Sequence, residues 1–137
     1  MSGTGEDEPA PGAGEPGRSS SGPAAAEQSV RALRAAGRLA AAADLVDQLG
    51  PYGVADADNV TRSLGAAVLE AYADQLADAD PAAADALYLC AAGEQRSFAG
   101  AATSGGEGFA RMVAADRIDA KRRARHGPGP PPKRAQP

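Results

Sequence analysis

An all-α fold, a small antiparallel bundle of three to five short helices of the helical-hairpin type, is what this chain predicts, and three observations predict it. Alanine supplies 35 of the 59 hydrophobic residues, while Leu, Ile, Val and Phe together number 18 in 137. Alanine is the strongest helix former and lets helix backbones approach closely, whereas six Val, one Ile, two Phe and no Trp are too few for a sandwich or a parallel sheet. Glycine and proline clusters then cut the chain into helix-length pieces. A net charge of only −4 argues against disorder throughout, despite the small share of large apolar residues.

The pieces follow in order. Residues 1–23 hold Gly3, Gly5, Pro9, Pro11, Gly12, Gly14, Pro16, Gly17, Gly22 and Pro23 with a serine run at 19–21, the composition of a disordered tail. Residues 24–125 form the expected helical body. Helix formers run to Leu49, where Gly50-Pro51 joins a C-cap candidate to a residue that cannot continue a helix. Within that run Val30 and Leu33 lie on a different face from Leu39, Val46 and Leu49, so a break is placed at Gly37. Asp56, Asp58 or Asn59 is expected to cap a helix reaching Ala79, with Val60, Leu64, Ala67, Val68 and Ala71 on its buried side. Asp80-Pro81 reads as an N-cap followed by proline at the first helical position. The stripe Ala84, Leu87, Tyr88, Ala91, Ala92, Gln95, Phe98, Ala99 and Ala102 is the cleanest amphipathic pattern. Ser104 and Glu107 have capping-box spacing ahead of a last helix that begins with Phe109, Met112, Val113 and Asp116 and runs outward as a basic extension. Residues 126–137 form a basic, proline-rich tail.

Gly37, Leu39, Ala42, Val46 and Leu49 resemble the second helix of a tetratricopeptide repeat, a turn glycine followed by apolar and small residues at those offsets, with Val30 and Leu33 on the preceding helix. The resemblance covers one unit of about 34 residues, without the unit's closing proline and without a second copy further along. It implies a single helical-hairpin interaction module.

Chemistry-bearing motifs are sparse. One cysteine excludes an intramolecular disulfide framework and a multi-thiolate metal site; Cys90 reads as a small buried or half-buried thiol. His126, the only histidine, has no companion ligands. Gly105-Gly106-Glu107-Gly108 lacks the lysine and hydroxyl of a phosphate loop, and Asp74, Asp78, Asp80 and Asp85 lack calcium-loop spacing, which leaves a solvated helix face. Asn59-Val60-Thr61 matches a glycosylation acceptor, read here as a polar helix start. No catalytic, cofactor-binding or metal-ligating residue is assigned, and an enzyme is not expected. Neither a signal peptide nor an apolar run of membrane-spanning length is present, so a cytoplasmic protein is expected.

Charge is the most informative feature. Residues 1–23 carry −3, residues 24–116 carry −7 and residues 117–137 carry +6. The interaction candidates are accordingly Lys121, Arg122, Arg123 and Arg125, joined by Lys133 and Arg134. Such a cluster neutralises phosphates or docks an acidic surface, although no aromatic residue interleaves with it for base stacking. Pro128 to Lys133 also fits a polyproline ligand pattern. The function expected is a non-catalytic protein-interaction adaptor, binding another protein or itself, with Leu87, Tyr88, Phe98, Phe109 and Met112 supplying core or docking surface. The alternative is a nucleic-acid-associated regulator acting through the basic C-terminal segment.

Overall fold

The computed structural model describes residues 23–126. Residues 1–22 and 127–137, expected as disordered tails, lie outside the described residues, and Lys133 and Arg134 lie there with them. The all-α class holds: five helices carry the body and one two-stranded hairpin interrupts them. The first helix takes in Pro23 and the last reaches His126, so each body limit moves outward by one residue.

Helices α1 (Pro23–Ala35) and α2 (Leu39–Leu49) fold back on each other at Gly37, whose φ of 77° belongs to the left-handed region that side chains disfavour. They bury Val30, Ala42, Ala43 and Val46. Helix α2 stops where the sequence places its end: Gly50, at φ 55°, donates its N–H to the Val46 carbonyl at 2.7 Å, a left-handed C-cap.

The helix expected to start at 56–59 is instead two structures. Strands β1 (Ala55–Asp56) and β2 (Asn59–Ser63) form an antiparallel hairpin, with Ala55 opposite Ser63, Asp56 opposite Asn59 and an irregular step between. Only then does α3 (Leu64–Leu76) begin, capped by Ser63, whose Oγ accepts the Ala66 N–H at 2.9 Å. The expected caps are occupied elsewhere. Asn59 Oδ1 accepts the Thr61 N–H at 3.1 Å, which bends the chain into an Asx turn. Val60, expected at the head of a buried stripe, is 67% exposed.

Asp56 is fully buried and collects the hairpin around it. Its carboxylate accepts from Arg34 of α1 at 2.6 Å, from Arg62 of β2 at 2.5 Å and 3.0 Å, and from the Asp58 N–H at 3.2 Å. Arg31 joins the same corner, donating to the Ala55 carbonyl at 2.8 Å while paired with Glu27. Burial alone would push the Asp56 carboxyl up, but the hydrogen bonds from Arg34, Arg62 and the Asp58 amide outweigh it and hold it below the usual aspartate range.

Helix α4 (Pro81–Gly100) is the centre of the body and packs against both α3 and α5 (Gly105–His126). It starts as the sequence indicates, with Asp80 accepting the Ala83 N–H at 3.2 Å and Pro81 at the first position. Its buried face is Ala84, Tyr88, Ala91, Ala92, Gln95 and Phe98. Small residues dominate the layers either side, Ala66, Ala67 and Ala73 from α3 and Ala115 from α5, with Leu64, Val68 and Ile118 as the larger contributions. Ser104 Oγ accepts the Glu107 N–H at 3.1 Å as the capping box requires, while the Glu107 carboxylate reaches one residue further back, to the Thr103 N–H at 3.0 Å.

Polar side chains fasten what the alanines bring together. Gln95, fully buried, accepts the Ser63 N–H at 2.8 Å, donates to the Thr61 carbonyl, and donates to the Arg111 carbonyl at 3.3 Å, tying β2 and α5 to α4. Arg111 lies 3.6 Å over the Phe98 ring and donates to the Phe98 carbonyl at 3.0 Å and to Glu107 at 2.8 Å.

The buried carboxylate is the sharpest test of this arrangement. Asp56→Asn removes the buried carboxylate that two arginines share, leaving Arg34 with Asp58 at 3.5 Å and Arg62 with Glu70 at 3.8 Å, a change expected to cost about 3 kcal/mol, the low end for breaking a buried pair. Because the Asp56 pKa is lower folded than unfolded, its contribution is present above the unfolded value and fades as pH falls through the folded one. Thermal unfolding at a series of pH values is therefore expected to show a gap between the native chain and Asp56→Asn that is full at pH 7 and shrinks in acid.

Candidate functional site

Two surfaces are candidates, the basic C-terminal helix and a groove on the opposite flank of α4. The basic segment does not extend away from the body as expected. One turn of α5 turns Lys121, Arg122 and Arg125 toward the carboxylates of α3 and α4. Lys121 Nζ lies 2.5 Å from Glu70 and 3.3 Å from Asp74, Arg122 Nε donates to Asp85 at 2.6 Å, and Arg125 Nε donates to the Tyr88 hydroxyl at 3.3 Å. Tyr88 in turn donates to Asp74. Burial works against the Lys121 charge, but Glu70 and Asp74 outweigh it and hold the ammonium above the usual lysine range. Burial, then Asp74, likewise pushes the Tyr88 hydroxyl up. The chemistry available at this end is internal neutralisation. Of the four acids expected as a solvated face, Asp74 and Asp85 are partners that hold these cations, whereas Asp78 and Asp80 are exposed and Asp80 caps α4.

Arg123 is different. It is exposed, and at 100° per residue it falls on the outward side of α5, the same side as Phe109, Met112 and Val113. Those three are 71%, 39% and 38% exposed, so Phe109 and Met112 are surface rather than core. Tyr88 and Phe98 are core, at 1% exposure each, and Leu87 is half-buried. The reason is the phase of α5: its inward side is taken by Arg111, Ala115 and Ile118, and its first apolar turn faces water. Arg117 is also exposed, and neither Arg117 nor Arg123 forms an ion pair among the described residues.

Cys90, expected buried or half-buried, is exposed. Two residues on from Tyr88, it is turned about 200° from the buried face of α4. It lies instead beside the second candidate, a groove of about 450 Å³ between α2, α3 and α4. Leu69, Leu87, Tyr52 and Tyr72 give this groove its apolar surface, and Asp44, Asp47 and Glu94 its charge; no described residue lining it is basic. Glu94 is the unusual member. Its Oε1 is buried with no hydrogen-bond partner, in space that exists because residue 65 is glycine: a Cβ there would lie 2.3 Å from that oxygen. Burial, reinforced by the charge of Asp47, pushes the Glu94 carboxyl up.

Val46, Leu87 and Cys90 were singled out by the sequence, as helix-face, stripe and thiol residues, but no pattern joined them into a groove or pointed to Glu94. Glu94 sits one residue before Gln95 on a helix otherwise read for its apolar stripe, and the only local signal was a glycine inside the helix-forming run 64–69 opposite it. Among the described residues no group of three or more His, Cys, Asp or Glu side chains is placed to hold a metal ion, and no helix is long and apolar enough to cross a membrane. No protein-family model matches the chain, and no curated protein and no solved structure matches it.

Glu94 carries a pH signature of opposite sign to Asp56. Its folded pKa lies above the unfolded one, so the folded state holds the extra proton: stability is highest below the unfolded value and is lost as pH rises through the folded one. Glu94→Gln removes the charge and keeps the shape. Its Tm is expected to exceed the native chain's at pH 8 and to converge with it in acid; a variant less stable at pH 8 contradicts the assignment.

Proposed function

We propose that the protein is a small non-catalytic adaptor that binds another polypeptide through the outward face of α5. The observation supporting this is Phe109, 71% exposed and continued by Met112 and Val113, on a helix fastened into the body by its other side. A large side chain left in water forgoes roughly 2 kcal/mol of transfer free energy, and three at i, i+3 and i+4 form one ridge that a partner helix can cover. Arg117 and Arg123 follow on the same side. A partner of matching chemistry is an amphipathic segment whose apolar stripe is followed by carboxylates, and the cytoplasm is the compartment this reading takes. Docking of this kind also suits a body whose core is mostly alanine, since covering a helix face adds burial that the fold itself lacks.

The second reading, association with nucleic acid, draws on Arg123 together with Lys133 and Arg134. It rests on fewer phosphate contacts than the run of cations suggests, because Lys121, Arg122 and Arg125 already have acidic or hydroxyl partners.

Site-specific photo-crosslinking in the native host separates the two. A crosslinker at Met112 is expected to capture one protein through an acidic, apolar segment, in a nuclease-resistant adduct that disappears with Phe109→Asp; a crosslinker at the exposed Gln48 of α2 is expected to capture nothing in common with it. Adducts to nucleic acid, to a second copy of the chain, or shared equally by both positions contradict the adaptor reading.

A further inference from the structure

We propose that the groove between α2, α3 and α4 is a binding site for a small organic cation, a primary amine carried on an apolar body. This inference is independent of the α5 face. The volume, about 450 Å³, lies within the range of small-molecule pockets, which combine apolar walls with a few fixed polar groups. Leu69 and Leu87 supply apolar wall, and Tyr52 and Tyr72 add aromatic rings, a side-chain class whose quadrupole attracts a cation. Asp44, Asp47 and Glu94 supply negative charge, and no described residue lining the groove is basic. A neutral or anionic ligand leaves that imbalance unanswered.

Glu94 carries the argument further. Neither of its oxygens accepts a hydrogen bond from the described residues; Oε1 is sealed against Gly65 and closed to a ligand, which leaves Oε2 as the oxygen an arriving donor can reach. A carboxylate held in that state gains more from an arriving ammonium than one already paired with an arginine, as Asp56 is, because hydrogen bonds to a charged group are strongest where water is excluded. A metal ion is a poorer match: the carboxylates of the groove do not converge as a set of three ligands. The ligand class that answers aromatic walls, apolar floor and an unpartnered carboxylate at once is an alkyl- or arylalkylammonium ion.

The test uses the full-length chain and three probes of one shape: 4-phenylbutylamine, 4-phenylbutanol and 4-phenylbutyrate, titrated with amide NMR as the readout. The amine is expected to shift the amides of Leu69, Tyr72, Leu87 and Glu94 at saturable concentration and to bind at least about tenfold more tightly than the alcohol, the ratio that one charge-assisted hydrogen bond gives. The carboxylate is expected not to bind. Glu94→Gln, checked for an unchanged amide spectrum away from the groove, is expected to lower amine affinity about tenfold and leave the alcohol unaffected; Asp47→Asn serves as the second variant should Glu94→Gln disturb the fold. Equal affinity for amine and alcohol, binding of the carboxylate, or amine shifts spread over the acidic surface and indifferent to both variants would overturn the proposal.

Discussion

Gln95 is the side chain on which the rest of the arrangement depends. An alanine-lined core brings helices close but offers few large contacts to fix their order, and each close approach leaves backbone groups that need partners. Gln95 answers three of them from one position on α4: the Ser63 amide, the Thr61 carbonyl and the Arg111 carbonyl. The hairpin thereby gains a third, side-chain-built edge, and α5 is fixed against α4 at its second turn. With those two elements in place Ser63 can cap α3 and Arg111 can lie on Phe98.

Electrostatics continues the same fastening across the surface. Asp56 pairs with Arg62, whose guanidinium lies 3.8 Å from Glu70; Glu70 pairs with Lys121, and Lys121 with Asp74. Charges from β1, β2, α3 and α5 thus alternate in one connected chain. Networks of this kind hold geometry better than isolated exposed pairs, whose individual contributions are small. Their functional consequence is selective. By engaging Lys121 and Arg122, with Arg125 on the Tyr88 hydroxyl, they leave the outward side of α5 with an apolar turn and two arginines that form no ion pair among the described residues, a surface of different character from a uniformly basic one.

Local chemistry was legible in the sequence and long-range juxtaposition was not. The turn at Gly37, the stop at Gly50, the Asp80-Pro81 start and the Ser104–Glu107 spacing are decisions made within a few residues, and the backbone follows them. The hairpin at 55–63 was missed because Asp56, Asp58 and Asn59 are also good helix caps, and what settles Asp56 is a pair of arginines, one of them 22 residues earlier in the chain. A turn signal was present in Asp58-Asn59 followed by Val60-Thr61, with Ser63 as a later cap. Phe109 and Met112 fall on a helix as expected, but core, the role favoured for most of their group, holds for Tyr88 and Phe98 and not for these two, since periodicity gives a face and not its direction. The groove with Glu94 has no sequence pattern at all; it exists where three helices meet.

Amide hydrogen exchange at Ser63 tests the central claim most directly. If Gln95 holds the hairpin to α4, the Ser63 amide of the native chain exchanges as slowly as the core amides of α4, and in Gln95→Ala it exchanges at a loop-like rate while the α4 amides remain protected. Fast exchange at Ser63 in the native chain, or protection undiminished in the variant, would contradict it.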